Sequence, residues 1–298
     1  MPSPIELISS RIPENIPDDA KEILEDNVSK FLTGIDKKSV DIEDMKRLLS
    51  LIQYKDKTQS TSGYHKWYVP GTPYGIDKLE KHAAFFKSTL SHRETLMLGG
   101  NRVGKTRAGA TICSVLATGQ YPNWWEGIRF SGPVSVWAAG KTGQSTRDTV
   151  QEAILGPVGA WGTGALPLDC IGRTTARQGI ANAIDTVEVK HSSGAISTIG
   201  FKSYDQKPAS FYGTAKHCVW LDEPCPELIY NECLIRTMTT GGILVHTITP
   251  KEGLTRLLAD YLRDCDLLAG ATRIKGLEAL GMLDDINNLD EYGYERDK

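Results

Sequence analysis

The octet Gly99-Gly100-Asn101-Arg102-Val103-Gly104-Lys105-Thr106 constrains this chain more than any other feature. It fits Gly-x-x-x-x-Gly-Lys-Ser/Thr, follows the short apolar run Leu96-Met97-Leu98, and opens an Ala/Gly-rich stretch of helical character, residues 107–118. A strand delivers such a loop, its glycines let successive backbone N–H groups turn inward, and the helix start adds the positive end of its dipole. The result is a phosphate cradle, in which Lys105 reaches the β- and γ-phosphates of a nucleotide and the Thr106 hydroxyl meets Mg2+. At ordinary residue frequencies a chance match in a chain of this length is a roughly 2% event. The flanking strand and helix make it rarer still.

Composition narrows the rest. The 298 residues are 40% hydrophobic, enough for one large domain or one domain with appendages. No apolar run approaches the length of a membrane span, and the acidic, polar start is not a secretory leader. The six cysteines, Cys113, Cys170, Cys218, Cys225, Cys233 and Cys265, form no CxxC pair or zinc spacing and read as reduced structural thiols. Charge is unevenly spread. Residues 1–50 hold 7 basic and 11 acidic side chains, residues 274–298 hold 3 and 7, and the stretch between holds 24 and 19. A mildly basic centre permits a polyanionic partner without demanding one.

Periodicity predicts two amphipathic helices near the start, one with Leu24, Val28, Phe31 and Leu32 on a face, the other with Ile42, Met45, Leu48, Leu49 and Ile52. The polar stretch 55–63 places a boundary near residue 60, giving an acidic helical segment (1–60), a phosphate-loop domain (61–272) and an acidic tail (273–298) with a short helix at Leu277–Leu283. Within the central domain, strand alternates with helix. Strands are predicted at 95–98, 133–139, 217–221 and 242–248, a hairpin at 186–190 and 196–201, and helices at 144–155 and 254–262. That alternation argues for an α/β fold with a mostly parallel sheet and helices on both faces.

The strand 217–221 ends in Asp222-Glu223, adjacent carboxylates at the edge where open α/β folds bind ligands. Asp222 is placed to hold Mg2+, and Glu223, turned elsewhere, to accept a proton from an attacking water. A pair of turn-capping acids is the plainer alternative. Thr247-Ile248-Thr249-Pro250 closes the next strand, where hydroxyls of Thr247 and Thr249 could sense a γ-phosphate, or simply mark a strand exit. In this order the three elements match a P-loop NTPase of the additional-strand, catalytic-glutamate type.

The chain resembles the large terminase subunit of tailed bacteriophages, closest to those of short-tailed enterobacterial phages. The matching pieces are the phosphate loop, the idiosyncratic run Thr118–Phe130 with its Tyr121-Pro122-Asn123-Trp124-Trp125, the stretch Val219–Pro224, and Ile248-Thr249-Pro250. The likeness covers roughly residues 65–265. It implies a RecA-like ATPase that moves double-stranded DNA into a viral prohead. It implies ATP and Mg2+, with loop residues Gly99 to Thr106 and Asp222 on nucleotide and metal, Glu223 as base, and Thr247 and Thr249 coupling hydrolysis to motion. It also implies partnership with the portal protein and the small terminase subunit, and a working ring formed by chains that are monomeric in isolation. The implied location is the host cytoplasm, transiently at the prohead portal and not in the mature virion.

Departures from the family pattern matter as much. No strand-borne carboxylate cluster follows Thr249, so nuclease activity is not expected; Asp284, Asp285, Asp290 and Glu291 read as a solvated tail. The adenine-reading glutamine of the family is replaced by Pro73-Tyr74-Gly75, leaving Tyr74 to stack on the base. The charge-stabilising arginine is Arg102 acting within the chain, or Arg147 acting on a neighbour, or, for Arg147, merely a surface ion pair. Arg173, Arg177, Lys190, Lys202 and Lys207 are candidates for sequence-independent contact with DNA phosphates, or an ordinary solvated surface. A helicase-like ATPase is disfavoured because one phosphate loop in 298 residues leaves no room for a second lobe. A non-catalytic nucleotide-binding assembly protein is disfavoured by the full set Lys105, Thr106, Asp222 and Glu223.

Overall fold

The computed structural model describes residues 63–250 and 255–264. The N-terminal helices, the boundary near residue 60 and the acidic tail lie outside the described residues. Seven strands form one sheet: β1 Glu94–Leu98, β2 Ser135–Gly140, β3 Ile171–Ala176, β4 Ile184–Lys190, β5 Ile196–Ser203, β6 Cys218–Asp222 and β7 Ile243–Ile248. Among the described residues the longer helices are α1 Glu80–Ser88, α2 Lys105–Thr118, α3 over residues 143–155, α4 Glu227–Thr237 and α5 Arg256–Asp264.

The strand order is β1-β7-β6-β2-β5-β4-β3. The first five are parallel, and β4 and β3 continue the sheet antiparallel. A strand, β7, therefore stands between the strand that delivers the phosphate loop and the strand that ends in Asp222. Register aligns their ends: Thr247 pairs with Met97 on one side and with Asp222 on the other. Parallel pairing puts the C-terminal ends of β1, β7, β6, β2 and β5 on one edge of the sheet, where ligands of such folds bind.

Side chains of a strand point alternately to opposite faces, and the central strands are apolar on both. Val136 and Ala138 of β2, Cys218 and Trp220 of β6, and Ile243 and Val245 of β7 enter one core with Ala108, Ile112 and Leu116 of α2. Trp137, Val219, Leu221 and Leu244 enter the other, with Ile229, Tyr230 and Cys233 of α4 and Phe211. Fully burying a large apolar side chain contributes roughly 1.5–3 kcal/mol, so this two-faced core is the main source of stability. Helix α2 lies so close on β6 that a Cβ at Gly109 would fall 2.2 Å from the Trp220 indole. Beside it, Trp125 donates to the Ile128 carbonyl at 3.1 Å and packs on Phe86, while Trp124 meets Tyr68 and Phe86. The idiosyncratic Trp-Trp stretch is thus core that seats α1.

Several details differ from the sequence reading. Strand β3 was not anticipated, because its residues are half-exposed at the sheet edge and carry no apolar alternation. Helices α1 and α4 were likewise not foreseen. The helix expected at 144–155 is present, but its middle, Thr146–Gln151, is a π-turn. The five described cysteines are buried and unpaired by disulfides.

Candidate functional site

The phosphate loop leaves β1 with Gly99 N–H donating to the Ile248 carbonyl at 3.2 Å. Gly100, Asn101, Arg102 and Val103 are exposed. Two left-handed residues curve the loop, Arg102 at φ 63° and Gly104 at φ 86°, the second being the residue that starts α2. Glycine adopts that geometry freely; arginine does so at a cost of roughly 1–2 kcal/mol. Lys105 is buried, with its Nζ donating to the Gly100 carbonyl at 2.6 Å, so its charge is folded into the hollow of the loop.

Opposite the loop stands buried Asp222. Its Oδ1 accepts from Thr247 Oγ1 at 2.7 Å and lies 3.5 Å from Thr106 Oγ1. Thr247 is itself oriented by Trp220, whose Nε1 donates to Thr247 Oγ1 at 2.8 Å. Burial pushes the Asp222 carboxyl up to about 6, against the Thr247 bond, and neighbouring Glu223 raises it further while Lys105 and Thr106 pull it down. A carboxylate desolvated in this way gains from a cation. A hydroxyl and a carboxylate oxygen side by side are the hard donors that Mg2+ prefers.

Glu223 is held at every polar group. Its φ is 67°, its N–H donates to the Thr247 carbonyl at 2.8 Å, and its carbonyl accepts from His246 Nε2 at 3.0 Å. Its carboxylate accepts from the Thr249 N–H at 3.0 Å and the Thr249 hydroxyl at 2.9 Å. Behind the turn, the Tyr204 hydroxyl sits 3.0 Å from the Asp222 carbonyl, 3.3 Å from that of Glu223 and 3.4 Å from that of Ala139. Burial drives the His246 ring down to about 4, against its bond to Glu223, so it is neutral and donates through Nε2. Its Nδ1 has no hydrogen-bond partner among the described residues.

The structure therefore gathers Lys105, Thr106, Asp222, Glu223, Thr247 and Thr249 at one edge. Tyr74 is 70% exposed on the turn between Tyr68 and Ile76. Arg102 stands at the loop apex. Arg147, on the π-turn of α3, is engaged by Asp148 at 2.7 Å and by the Ala181 carbonyl at 3.0 Å. It lines an open cleft of about 550 Å3 with Thr142, Gln144 and Asp205. The candidate DNA-contacting cations are spread over three strands and their loops. Arg173 pairs with Glu188 at 2.6 Å, Arg177 donates to Ser203 at 2.7 Å, and Lys202 lies over the Trp137 ring at 5.5 Å.

Tyr204 and His246 escaped the sequence reading. A histidine following the apolar run Ile243-Leu244-Val245 in a buried strand was a usable signal. Nothing local marked Tyr204.

A family model described as "Terminase large subunit, T4likevirus-type, N-terminal" matches residues 96–289. The terminase large subunit of Salmonella phage P22 is 28% identical over an alignment of 242 residues, and the match covers 74% of this chain and 47% of that protein. The chain thus spans about half the length of that relative. Among solved structures, a mutant of the large terminase ATPase domain of Thermus phage P74-26 aligns with a TM-score of 0.40 and 18% identity, covering 64% of this chain and 70% of that one.

Proposed function

Because the chain belongs to the family of N-terminal regions of terminase large subunits, we propose that it is the ATPase of a motor that moves double-stranded viral DNA into a prohead. The observation that carries this reading is the placement of β7 between β1 and β6, which brings Lys105, Thr106, Asp222 and Glu223 to one edge with Thr249 gripping the glutamate.

The loop N–H groups and Lys105 bind the β- and γ-phosphates of ATP, and Tyr74 stacks on the base. Thr106 and Asp222 would hold Mg2+, which when bound would neutralise phosphate charge. Glu223 takes the proton of the water whose oxygen attacks the γ-phosphorus, as the bond from that phosphorus to the β–γ bridging oxygen breaks and ADP leaves. Each carboxylate oxygen keeps a lone pair beside its bond from Thr249, so the proton is taken without breaking that grip, which couples the site to β7 and to the helix that follows. Thr247 keeps Asp222 oriented throughout.

In the working motor, copies of the chain associate into a ring that partners the portal protein and the small terminase subunit, in the host cytoplasm and transiently at the prohead. No helix among the described residues is long and apolar enough to cross a membrane. Arg147 is the candidate to enter a neighbour's site, for which it would exchange Asp148 for phosphoryl charge; Arg102 is the alternative within the chain. The chain alone is a slow, mainly monomeric ATPase without nuclease activity. Steady-state phosphate release with and without double-stranded DNA tests the reading: Mg2+-dependent ATP hydrolysis raised by DNA is expected. Absence of any hydrolysis, with ATP bound, would favour a non-catalytic assembly role.

A further inference from the structure

One buried side chain with no part in the chemistry above touches the phosphate loop from outside. His82, on α1, places Nε2 2.9 Å from the Val103 carbonyl and Nδ1 2.9 Å from the Tyr68 hydroxyl. A carbonyl can only accept, so Nε2 carries a proton. Burial holds the ring below the usual histidine range, which keeps it neutral and leaves Nδ1 to accept from Tyr68. The donors then run in one direction, from the Tyr68 O–H through the ring to Val103. The contact is also steric. A Cβ at Gly104 would meet His82 Cε1 at 2.8 Å, so the ring brings its Cε1 edge against the loop where only glycine leaves room. Val103 stands between the two left-handed residues, Arg102 and Gly104.

We infer that His82 is a positioning residue for phosphate binding, which fixes the curve of the loop at Arg102-Val103-Gly104 through its bond to the Val103 carbonyl, with Tyr68 setting which ring nitrogen donates. This rests on reading the loop as a nucleotide site. Without the bond, the loop spreads over other curvatures, and fewer of its N–H groups point into one hollow.

The test is binding of ADP and of inorganic tripolyphosphate, by calorimetry, to the wild type, His82→Gln, His82→Asn, Tyr68→Phe and, as control, Lys105→Ala. Glutamine reaches as far as Nε2 and can donate to Val103; asparagine reproduces only the nearer nitrogen and cannot. Loss of one buried hydrogen bond predicts about tenfold weaker binding of both ligands by His82→Asn and a change within about threefold for His82→Gln. Tyr68→Phe, which keeps the ring and its packing, is expected to weaken both by about threefold to tenfold, and it carries the test if His82→Asn does not fold. Equal binding by wild type, His82→Asn and Tyr68→Phe would overturn the inference while leaving the nucleotide site intact. Equal losses in His82→Gln and His82→Asn would overturn it too, by making the ring mere packing. Failure of the wild type itself to bind either ligand would instead remove the nucleotide reading.

Discussion

The two sides of the candidate site are built on opposite plans. The phosphate loop is exposed from Gly100 to Val103 and curved by two left-handed residues, with its lysine turned onto its own Gly100 carbonyl. The Asp222–Glu223 turn is buried behind and clamped from Tyr204, His246, Thr247 and Thr249, drawn from two other strands and their ends. The loop stands open to solvent; the turn is tied into the protein. On the proposed function, a ligand completes the first while the second is set before it arrives, so binding and turnover are expected to depend on different residues.

The largest effect should separate the two sides outright. Glu223→Gln is expected to lower ATP turnover by about 100-fold or more while ADP affinity stays near wild type, since only the proton acceptor is lost. Lys105→Ala should instead abolish measurable nucleotide binding. Turnover by Glu223→Gln at the wild-type rate, or an Lys105→Ala variant that binds a fluorescent ATP analogue normally, would erase the distinction.

Next comes the joint between the sides. Gly109 lets α2, which carries the loop, rest on Trp220, which orients Thr247. Gly109→Ala gains about 1 kcal/mol in helix propensity but drives a methyl into the indole, and overpacking costs of about 1–3 kcal/mol are the rule. A net loss of stability in urea denaturation is expected, together with slower turnover as Thr247 loses its partner. A more stable variant would mean that the helix and strand are not in tight contact.

The smallest effect concerns acid. Measured without nucleotide or Mg2+, the folded state resists protonating His246 until pH about 4, so stability falls as pH drops below the unfolded value of about 6.5. Asp222 runs the other way: its folded value of about 6 exceeds the unfolded one, so acidification through that window adds stability. Between about pH 6 and 4 the two oppose each other. Asp222→Asn should therefore lose stability with acid more steeply than wild type, by about 1.4 kcal/mol per pH unit. Parallel slopes would show that the buried carboxylate is not felt.

What the chain disclosed in its letters was what local pattern can carry. β1, β6 and β7 were legible because each is a short apolar run that stops at polar residues, and their bounds fell within a residue or two. The helix-to-strand alternation was enough for a mostly parallel sheet. Strand β3 was hidden by its half-exposed, Gly- and Thr-containing sequence at an edge, where packing selects weakly. The clamp on Glu223 was hidden for another reason. Tyr204 and His246 lie 19 and 23 residues from it, and no window of sequence records that strand pairing brings them to one turn. The same distance effect hid His82, whose role depends on α1 packing beside the loop rather than on any spacing to it.

The Tyr204 hydroxyl has one proton and three carbonyls within 3.4 Å, at the ends of β2 and β6 and on Glu223. Such a contact behaves as a swivel rather than a bolt. If the strand ends slide past one another by a few tenths of an ångström, the proton can be handed from one acceptor to the next, and the buried polar group is never stranded. Motion in that direction meets a shallow energy surface, while separation of the strands, which would leave the buried hydroxyl without an acceptor, meets a steep one. A turn this crowded is thereby free to shear along one axis and stiff along the others.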